Sequence, residues 1–177
     1  MTEANFPAGV NVRRASPGDI AVFLKLVVAL ADYEKLEPPD EAARARLVSD
    51  MSGESPCFEV HIAEFKGKPA GYAITLESYS SFLALPTLYV EDLFVLPEYR
   101  KKKVGYAIFV TLAKEALRRG CGRMEWTALD WNTLATDFYK RAGGKHVKDL
   151  QFFRMLRPEI ELLAKGNDQS VNGCGEA

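Results

Sequence analysis

Alternation of apolar and polar side chains opens the chain. Val10 and Val12 bracket Asn11, with Arg13 after them, the period-two signature of a short strand over 10–13. Ser16-Pro17-Gly18-Asp19 then supplies a hydroxyl at a helix N-cap, a proline at the first helical position and an acid in the first turn. From there Ile20, Phe23, Leu24, Val27, Leu30 and Ala31 recur at helical spacing, predicting an amphipathic helix that stops before Pro38-Pro39. A second, more polar helix is predicted over 40–50, and Ser52-Gly53-Glu54-Ser55-Pro56 reads as a loop. The period returns to two at Phe58, Val60 and Ile62. Gly67 sits in a turn and a further strand is predicted over 71–79, so the two segments form an antiparallel hairpin. Another strand covers 88–95 and is stopped by Pro97. Val104 to Arg119 is helical, with Ile108, Leu112, Ala113 and Ala116 on one face and Gly120 placed to end it. A strand over 124–129, a short helix over 133–141 and a last strand over 152–156 complete the pattern.

Meandering strands followed by strand–helix units predict an α+β (mixed α/β) domain with one central sheet. The 177 residues suffice for a proper core, since a globule of about 150 residues buries roughly 70% of its unfolded surface. No repeat or internal boundary is visible, so 1–165 reads as a single domain and the polar stretch 166–177 as a flexible tail. The formal net charge of −1 gives no overall pull toward nucleic acid or an anionic membrane. No apolar run reaches the roughly 20 residues of a membrane span, and Met1 to Gly9 lacks the basic-then-apolar pattern of a signal. Cys57, Cys121 and Cys174 are odd in number and lack metal-ligand spacing, which disfavours a disulfide framework and a zinc site. The expectation is a cytoplasmic protein with no metal, no nucleic-acid partner and no membrane partner.

Chemistry concentrates in Tyr89-Val90-Glu91-Asp92-Leu93-Phe94-Val95-Leu96-Pro97-Glu98-Tyr99-Arg100-Lys101-Lys102-Lys103-Val104-Gly105-Tyr106-Ala107. A strand ends, a basic loop follows and a helix opens near Gly105. An uncapped helix N-terminus presents backbone N–H groups and partial positive charge, which suits a phosphate or pyrophosphate. Lys101, Lys102 and Lys103 add full charges beside it. The same three lysines also read as a solvated surface loop or a nucleic-acid contact, and the lack of a second basic cluster speaks against the latter.

Arg100 to Gly105 resembles the acetyl-CoA pyrophosphate loop of the GNAT N-acetyltransferases, Arg/Gln-x-x-Gly-x-Gly/Ala, with Lys103 standing where the family has its first glycine. That glycine allows close backbone approach to the phosphates and torsions costly for other residues. Lys103 therefore has either an ordinary right-handed torsion or a strained one costing of order 1 kcal/mol. Ala31-Asp32-Tyr33-Glu34-Lys35-Leu36, Tyr89-Val90-Glu91-Asp92, Leu96-Pro97-Glu98-Tyr99-Arg100, Leu129-Asp130-Trp131-Asn132 and Phe138-Tyr139-Lys140-Arg141-Ala142-Gly143 follow in the order of one branch. That branch is the diamine (spermidine/spermine) acetyltransferases and their thialysine-acetylating relatives, and the resemblance runs from about Val10 to Leu156. It implies a mixed, mostly antiparallel sheet flanked by helices, with a V-shaped split where the strand over 88–95 parts from the strand over 124–129. Acetyl-CoA is the implied cosubstrate, a small-molecule amine the implied partner, and a homodimer the usual assembly.

The resemblance assigns roles. Leu93, Phe94 and Val95 match the strand whose backbone pairs with the pantetheine arm, as an exposed strand edge can. Arg100, Lys101, Lys102, Lys103, Val104, Gly105 and Tyr106 match the pyrophosphate loop, and Asn132, Thr133, Leu134 and Ala135 a further CoA contact. Asn132 or Thr133 can also cap the helix that follows. Tyr139 matches the general acid; a phenol near pKa 10 protonating a thiolate near 8.5 is uphill by about 2 kcal/mol, so it either sits in a tuned site or acts by hydrogen bonding. Acetylation needs a neutral amine, and deprotonating one of pKa near 10.4 at pH 7 costs about 4.6 kcal/mol. Glu91 matches the family residue at the amine and is the candidate cation-binder and base. Asp92, the next residue of an alternating strand, faces the opposite way and is the weaker candidate. Tyr33 and Glu34 match substrate positions at the end of the first long helix, with Glu37 expected one turn further on. Glu125, Trp126 and Thr127 align with a substrate-proximal strand, though Trp126 also reads as core. The branch's acidic-plus-Trp segment has no clean match near Asp149-Leu150-Gln151-Phe152, and the motifs lie closer to the thialysine relatives. His61 and His146 fall outside the matched motifs and read as structural. Cys121 has no His/Asp partner, so direct attack by the amine is the simpler scheme. The alternatives are a CoA-binding module with impaired catalysis and an acetyltransferase acting on a protein or peptide amine.

Overall fold

The ladder of strand pairings shows where the sheet ends and the site begins. In the computed structural model, which describes residues 6–53 and 55–166, five strands lie in the order β1 to β5 across one sheet. β1 (Val10–Arg14), β2 (Glu59–Phe65), β3 (Lys68–Ser80) and β4 (Leu85–Val95) run antiparallel in sequence order, and β5 (Arg123–Trp126) adds in parallel to β4. The parallel pair is joined by α3 (Val104–Arg118), as parallel strands require a long crossover. The mixed, mostly antiparallel sheet and its α+β class agree with the sequence.

Helices cover both faces. α1 (Ile20–Glu34) buries Phe23 and Leu26 on one face against Val60, Ile62, Tyr72, Ile74 and Phe94, and Leu47 and Met51 of α2 (Glu41–Ser52) pack at the border of that cluster. α3 lays Val104, Ile108 and Leu112 on the other face, over Ala63, Ala73, Leu88 and Val90. A clamp sets the entry of α1. Arg13 of β1 grips Asp19 with both terminal nitrogens at 2.7 and 2.8 Å, and the Ser16 amide and hydroxyl donate to the same carboxylate at 2.7 Å. These bonds hold the Asp19 carboxyl well below the usual carboxylate range. His61 is buried in β2, where desolvation pushes its imidazole toward the neutral form, consistent with a structural role.

Three expectations are corrected. The strand expected over 124–129 stops at Trp126, because β4 offers it no partner beyond Val90. No strand forms over 152–156: among the described residues nothing pairs with it, and an isolated strand leaves its backbone groups unpaired. Instead α5 (Arg157–Ala164) follows, started by Pro158 in its first turn and supported by an Arg157–Glu161 pair one helical turn apart. Finally, α1 ends at Glu34 with Lys35 in the left-handed conformation, so Glu37 lies beyond the helix and not one turn along it. The chain divides into two compact units between Thr133 and Leu134. The first holds the sheet with α1 to α3; the second holds α5 and nearly all of α4 (Thr133–Arg141). Of the expected tail, only Gly166 lies within the described residues.

Candidate active site

β4 parts from β5 halfway along its length. The two strands pair from Thr87↔Arg123 to Val90↔Trp126 and no further, while β4 continues for Glu91–Val95. Among the described residues no strand covers that side of Glu91–Val95, so backbone groups of a splayed edge are open to an amide-bearing ligand. This is the split that the resemblance implied, and it contains Leu93, Phe94 and Val95. The Val95 carbonyl accepts a hydrogen bond from Arg100 Nε at 3.1 Å.

A bulge at the split redirects the side chains. Ile74 pairs with Asp92 and Thr75 with Val90, so Glu91 is an extra residue without a cross-strand partner. One inserted residue inverts the in–out alternation after it. Leu88 and Val90 accordingly face α3, whereas Asp92 joins Phe94 on the α1 face, where the Tyr72 hydroxyl donates to Asp92 Oδ2 at 2.9 Å. Glu91 stands exposed at the bulge. The expectation that plain alternation separates the two acids misses this bulge, which no glycine or proline announces.

Asp92 is the carboxyl with the altered chemistry. Burial pushes it up to about 6; the nearby Glu91 and Glu34 charges act in the same direction, and the Tyr72 hydrogen bond opposes them. Glu34, half-buried at the end of α1, is raised by desolvation. Among the described residues none of Glu34, Glu91 and Asp92 has a salt-bridge partner. The three carboxyls thus form an acidic group able to take a cation, and Asp92 can accept a proton near neutral pH.

Tyr33 joins the substrate and cofactor candidates. The Arg100 guanidinium lies 4.4 Å over its ring, the rings of Phe94 and Trp131 lie at 6.0 and 5.7 Å, and its hydroxyl donates to Asn132 Oδ1 at 3.3 Å. Arg100 therefore sits on aromatic faces, a stacked contact worth about 0.5–2 kcal/mol depending on exposure. Trp131 is a site neighbour that the sequence reading left without a role; its signal was its place beside Asn132 in the matched turn.

The loop before α3 settles the question posed by Lys103. Lys103 is left-handed, with φ 62° and ψ 13°, and Lys101 is left-handed as well, with φ 61°. Each is a conformation that costs a residue other than glycine about 1–3 kcal/mol. No side chain caps α3, so its first N–H groups stay available to an anion. Lys102 is turned away, its ammonium 5.1 Å over Phe65 and 5.3 Å over Tyr99. A Cβ added at Gly105 would meet only Val95 Cγ2, at 3.6 Å, an ordinary contact that fits the Gly/Ala tolerance of the resembled pattern. Lys103→Gly is expected to raise the unfolding free energy by up to about 1 kcal/mol, because relief of the left-handed strain is partly offset by glycine's greater freedom in the unfolded chain. Denaturant unfolding checks this, and a less stable variant would contradict it.

The remaining candidates belong to β5, the segment after it, and α4. Trp126 packs edge-on against Phe109 of α3 at 5.0 Å, and Glu125 pairs with Arg123 at 3.1 Å. Thr127 lies exposed past the end of β5. Thr133 opens α4, and Leu134, Ala135 and Tyr139 follow on it in the second unit, where Tyr139 packs beside Phe138 with ring centroids 5.3 Å apart. Burial raises the Cys121 thiol, the opposite of an activated nucleophile. Among the described residues no His/Cys/Asp/Glu group could hold a metal ion, and no helix is long and apolar enough to cross a membrane.

A parted β4, a left-handed basic turn and an uncapped helix behind it together offer unpaired backbone groups and a place for an anion. Residues 27–144 match the acetyltransferase (GNAT) family, and the chain belongs to it. It is an N-acetyltransferase. Over 88% of its length and 96% of the relative's, it is 33% identical to a thialysine N-epsilon-acetyltransferase of Bos taurus. It is also 35% identical, over 55% of its length and 43% of the relative's, to the L-ornithine N5-acetyltransferase NATA1 of Arabidopsis thaliana. Among solved structures, an integron cassette protein from the mobile metagenome of V. cholerae superimposes with a TM-score of 0.77 at 25% identity, covering 89% of this chain and 98% of that one.

Proposed function

We propose that the protein transfers acetyl from acetyl-CoA to a primary amine of a small dicationic or lysine-like substrate, by direct attack. The observation that carries this reading is the group of three carboxylates, Glu34, Glu91 and Asp92, which among the described residues have no salt-bridge partner and lie by the open half of β4. The names of the relatives support the amine class, thialysine and ornithine both carrying a second amino group on a short chain.

The residues present fit the cosubstrate. The unpaired Glu91–Val95 edge suits a pantetheine arm, and the N–H groups opening α3, with Lys101 and Lys103 beside them, suit a pyrophosphate. Acetyl-CoA, when bound, supplies an acetyl thioester and a good thiolate leaving group. Arg100, held on Tyr33 and on the Val95 carbonyl, fixes the turn between strand and loop. Asn132, Thr133, Leu134 and Ala135 complete the cofactor side. On the amine side Glu91 receives the cation and its proton, directly or through water. Tyr33 and Glu34 hold the distal ammonium, and Glu125, Trp126 and Thr127 line the strand side. Tyr139 donates a hydrogen bond or a proton to the leaving thiolate. Residues 1–165 act as one domain in a cytoplasmic homodimer.

Thiol release from acetyl-CoA with thialysine, lysine, ornithine, putrescine, spermidine and a lysine peptide tests the reading. The expected result is turnover on a free diamine or lysine-like amino acid, at least about tenfold better in kcat/KM than on the peptide, the scale of one lost charged contact. Turnover on the peptide alone would redirect the function to protein amines. Calorimetric CoA binding with no turnover would leave a binding module.

A further inference from the structure

We propose that Tyr72 is a positioning residue of the acetyl-transfer site: its buried hydroxyl holds the Asp92 carboxylate by Oδ2 and leaves Oδ1 to hold the incoming amine beside Glu91, which takes the proton. This rests on the acetyl-transfer reading above. Tyr72 is fully buried, its ring wedged between Phe23 at 5.7 Å and Phe94 at 6.4 Å in edge-on contacts. A ring held on both sides keeps its oxygen in one place. A buried phenol must also find an acceptor or bear a desolvation cost, and the acceptor it finds is Asp92, at 2.9 Å. Phenylalanine would fill the same space, so the hydroxyl's particular contribution falls on the carboxylate.

The bulge at Glu91 makes the pair possible. Without the inserted residue Asp92 would face α3; with it, Asp92 stands opposite Ile74 and within reach of Tyr72, two residues past the last β4–β5 pair. Among the described residues Asp92 Oδ1 accepts no hydrogen bond. The groups that act electrostatically on the carboxyl are Glu34 from α1, Tyr72 from β3 and Glu91 on its own strand. Both acids favour the protonated form and only the phenol favours the carboxylate. Removing the hydroxyl therefore raises the pH at which Asp92 ionises, and a reaction that needs the carboxylate loses rate on its acidic side.

Tyr72→Phe, Asp92→Asn and the double variant separate this role from packing. The pH profile of kcat/KM for acetyl transfer to putrescine is measured for each, and the Asp92 carboxyl is titrated by carbon NMR in wild type and Tyr72→Phe. In Tyr72→Phe the acidic limb is expected to move up by about one pH unit, a loss of roughly tenfold on that limb, with rates above pH 9 within about twofold of wild type. The NMR midpoint moves the same way. Asp92→Asn loses the limb, and adding Tyr72→Phe to it changes nothing further. Coincident profiles for wild type and Tyr72→Phe, or an equal loss at every pH, overturn the proposal while leaving the acetyl-transfer reading intact. A wild-type chain that turns over no amine at all overturns that reading, and the positioning role with it.

Discussion

Replacing Tyr139 by phenylalanine is expected to lower kcat about a hundredfold or more while leaving the affinity for CoA within about twofold, the usual scale for loss of one acid–base group. In the proposed reaction an ordinary phenol near 10 would face an ordinary thiolate near 8.5, so full proton transfer would be uphill by about 2 kcal/mol. A hydrogen bond that strengthens as charge develops on sulfur is therefore a sufficient role for the hydroxyl. Phenylalanine keeps the ring beside Phe138 and the face of α4, so folding is preserved and the loss falls on the chemical step. Steady-state kinetics beside calorimetric CoA binding checks it. An unchanged kcat would move the acid role to another group.

Gly71→Ala is expected to have the largest effect on stability. A Cβ at Gly71 would lie 2.4 Å from the Phe94 carbonyl oxygen and 3.1 Å from Val95 Cα, both atoms of the β4 backbone. Backbone in mid-ladder cannot swing aside as a side chain can, so β4 must shift away from β3 at the point where it also forms the open edge. Overpacking of this kind costs about 1–3 kcal/mol. CoA affinity falls with it, since the displaced residues are those proposed to pair with the pantetheine arm. Gly105→Ala is the matched control, because its added Cβ meets an ordinary contact. Denaturant unfolding of both variants with CoA titration is the check, and equal stability of Gly71→Ala and wild type would contradict the account.

Much of the first unit was legible because each element has one apolar face and one clear stop. Ile20 to Ala31 keep a helical stripe and Val60 with Ile62 a strand stripe, and both end up in the same buried cluster. What escaped were features set by partners rather than by local pattern. The end of β5 follows from its pairing with β4 stopping at Val90, next to a bulge at Glu91 that leaves no mark on composition. Phe152, Phe153, Met155 and Leu156 have the apolar content of a strand, but content does not supply a neighbour to pair with. Tyr72 belongs to no motif in the sequence, and its hydroxyl meets the Asp92 carboxylate only through the register of β3 on β4. Lys103 was recognisable as the departure from pattern; its left-handed torsion was the half that needed a structure.

The central claim is that acetyl-CoA seats on the open half of β4 and the start of α3. Amide hydrogen exchange of the protein with and without acetyl-CoA tests it most directly. Protection is predicted at Leu93 to Val95 and at Val104 to Tyr106, with the β1–β2 ladder unchanged. Saturating acetyl-CoA that leaves those amides exchanging as before, or protects a separate surface, would contradict the account.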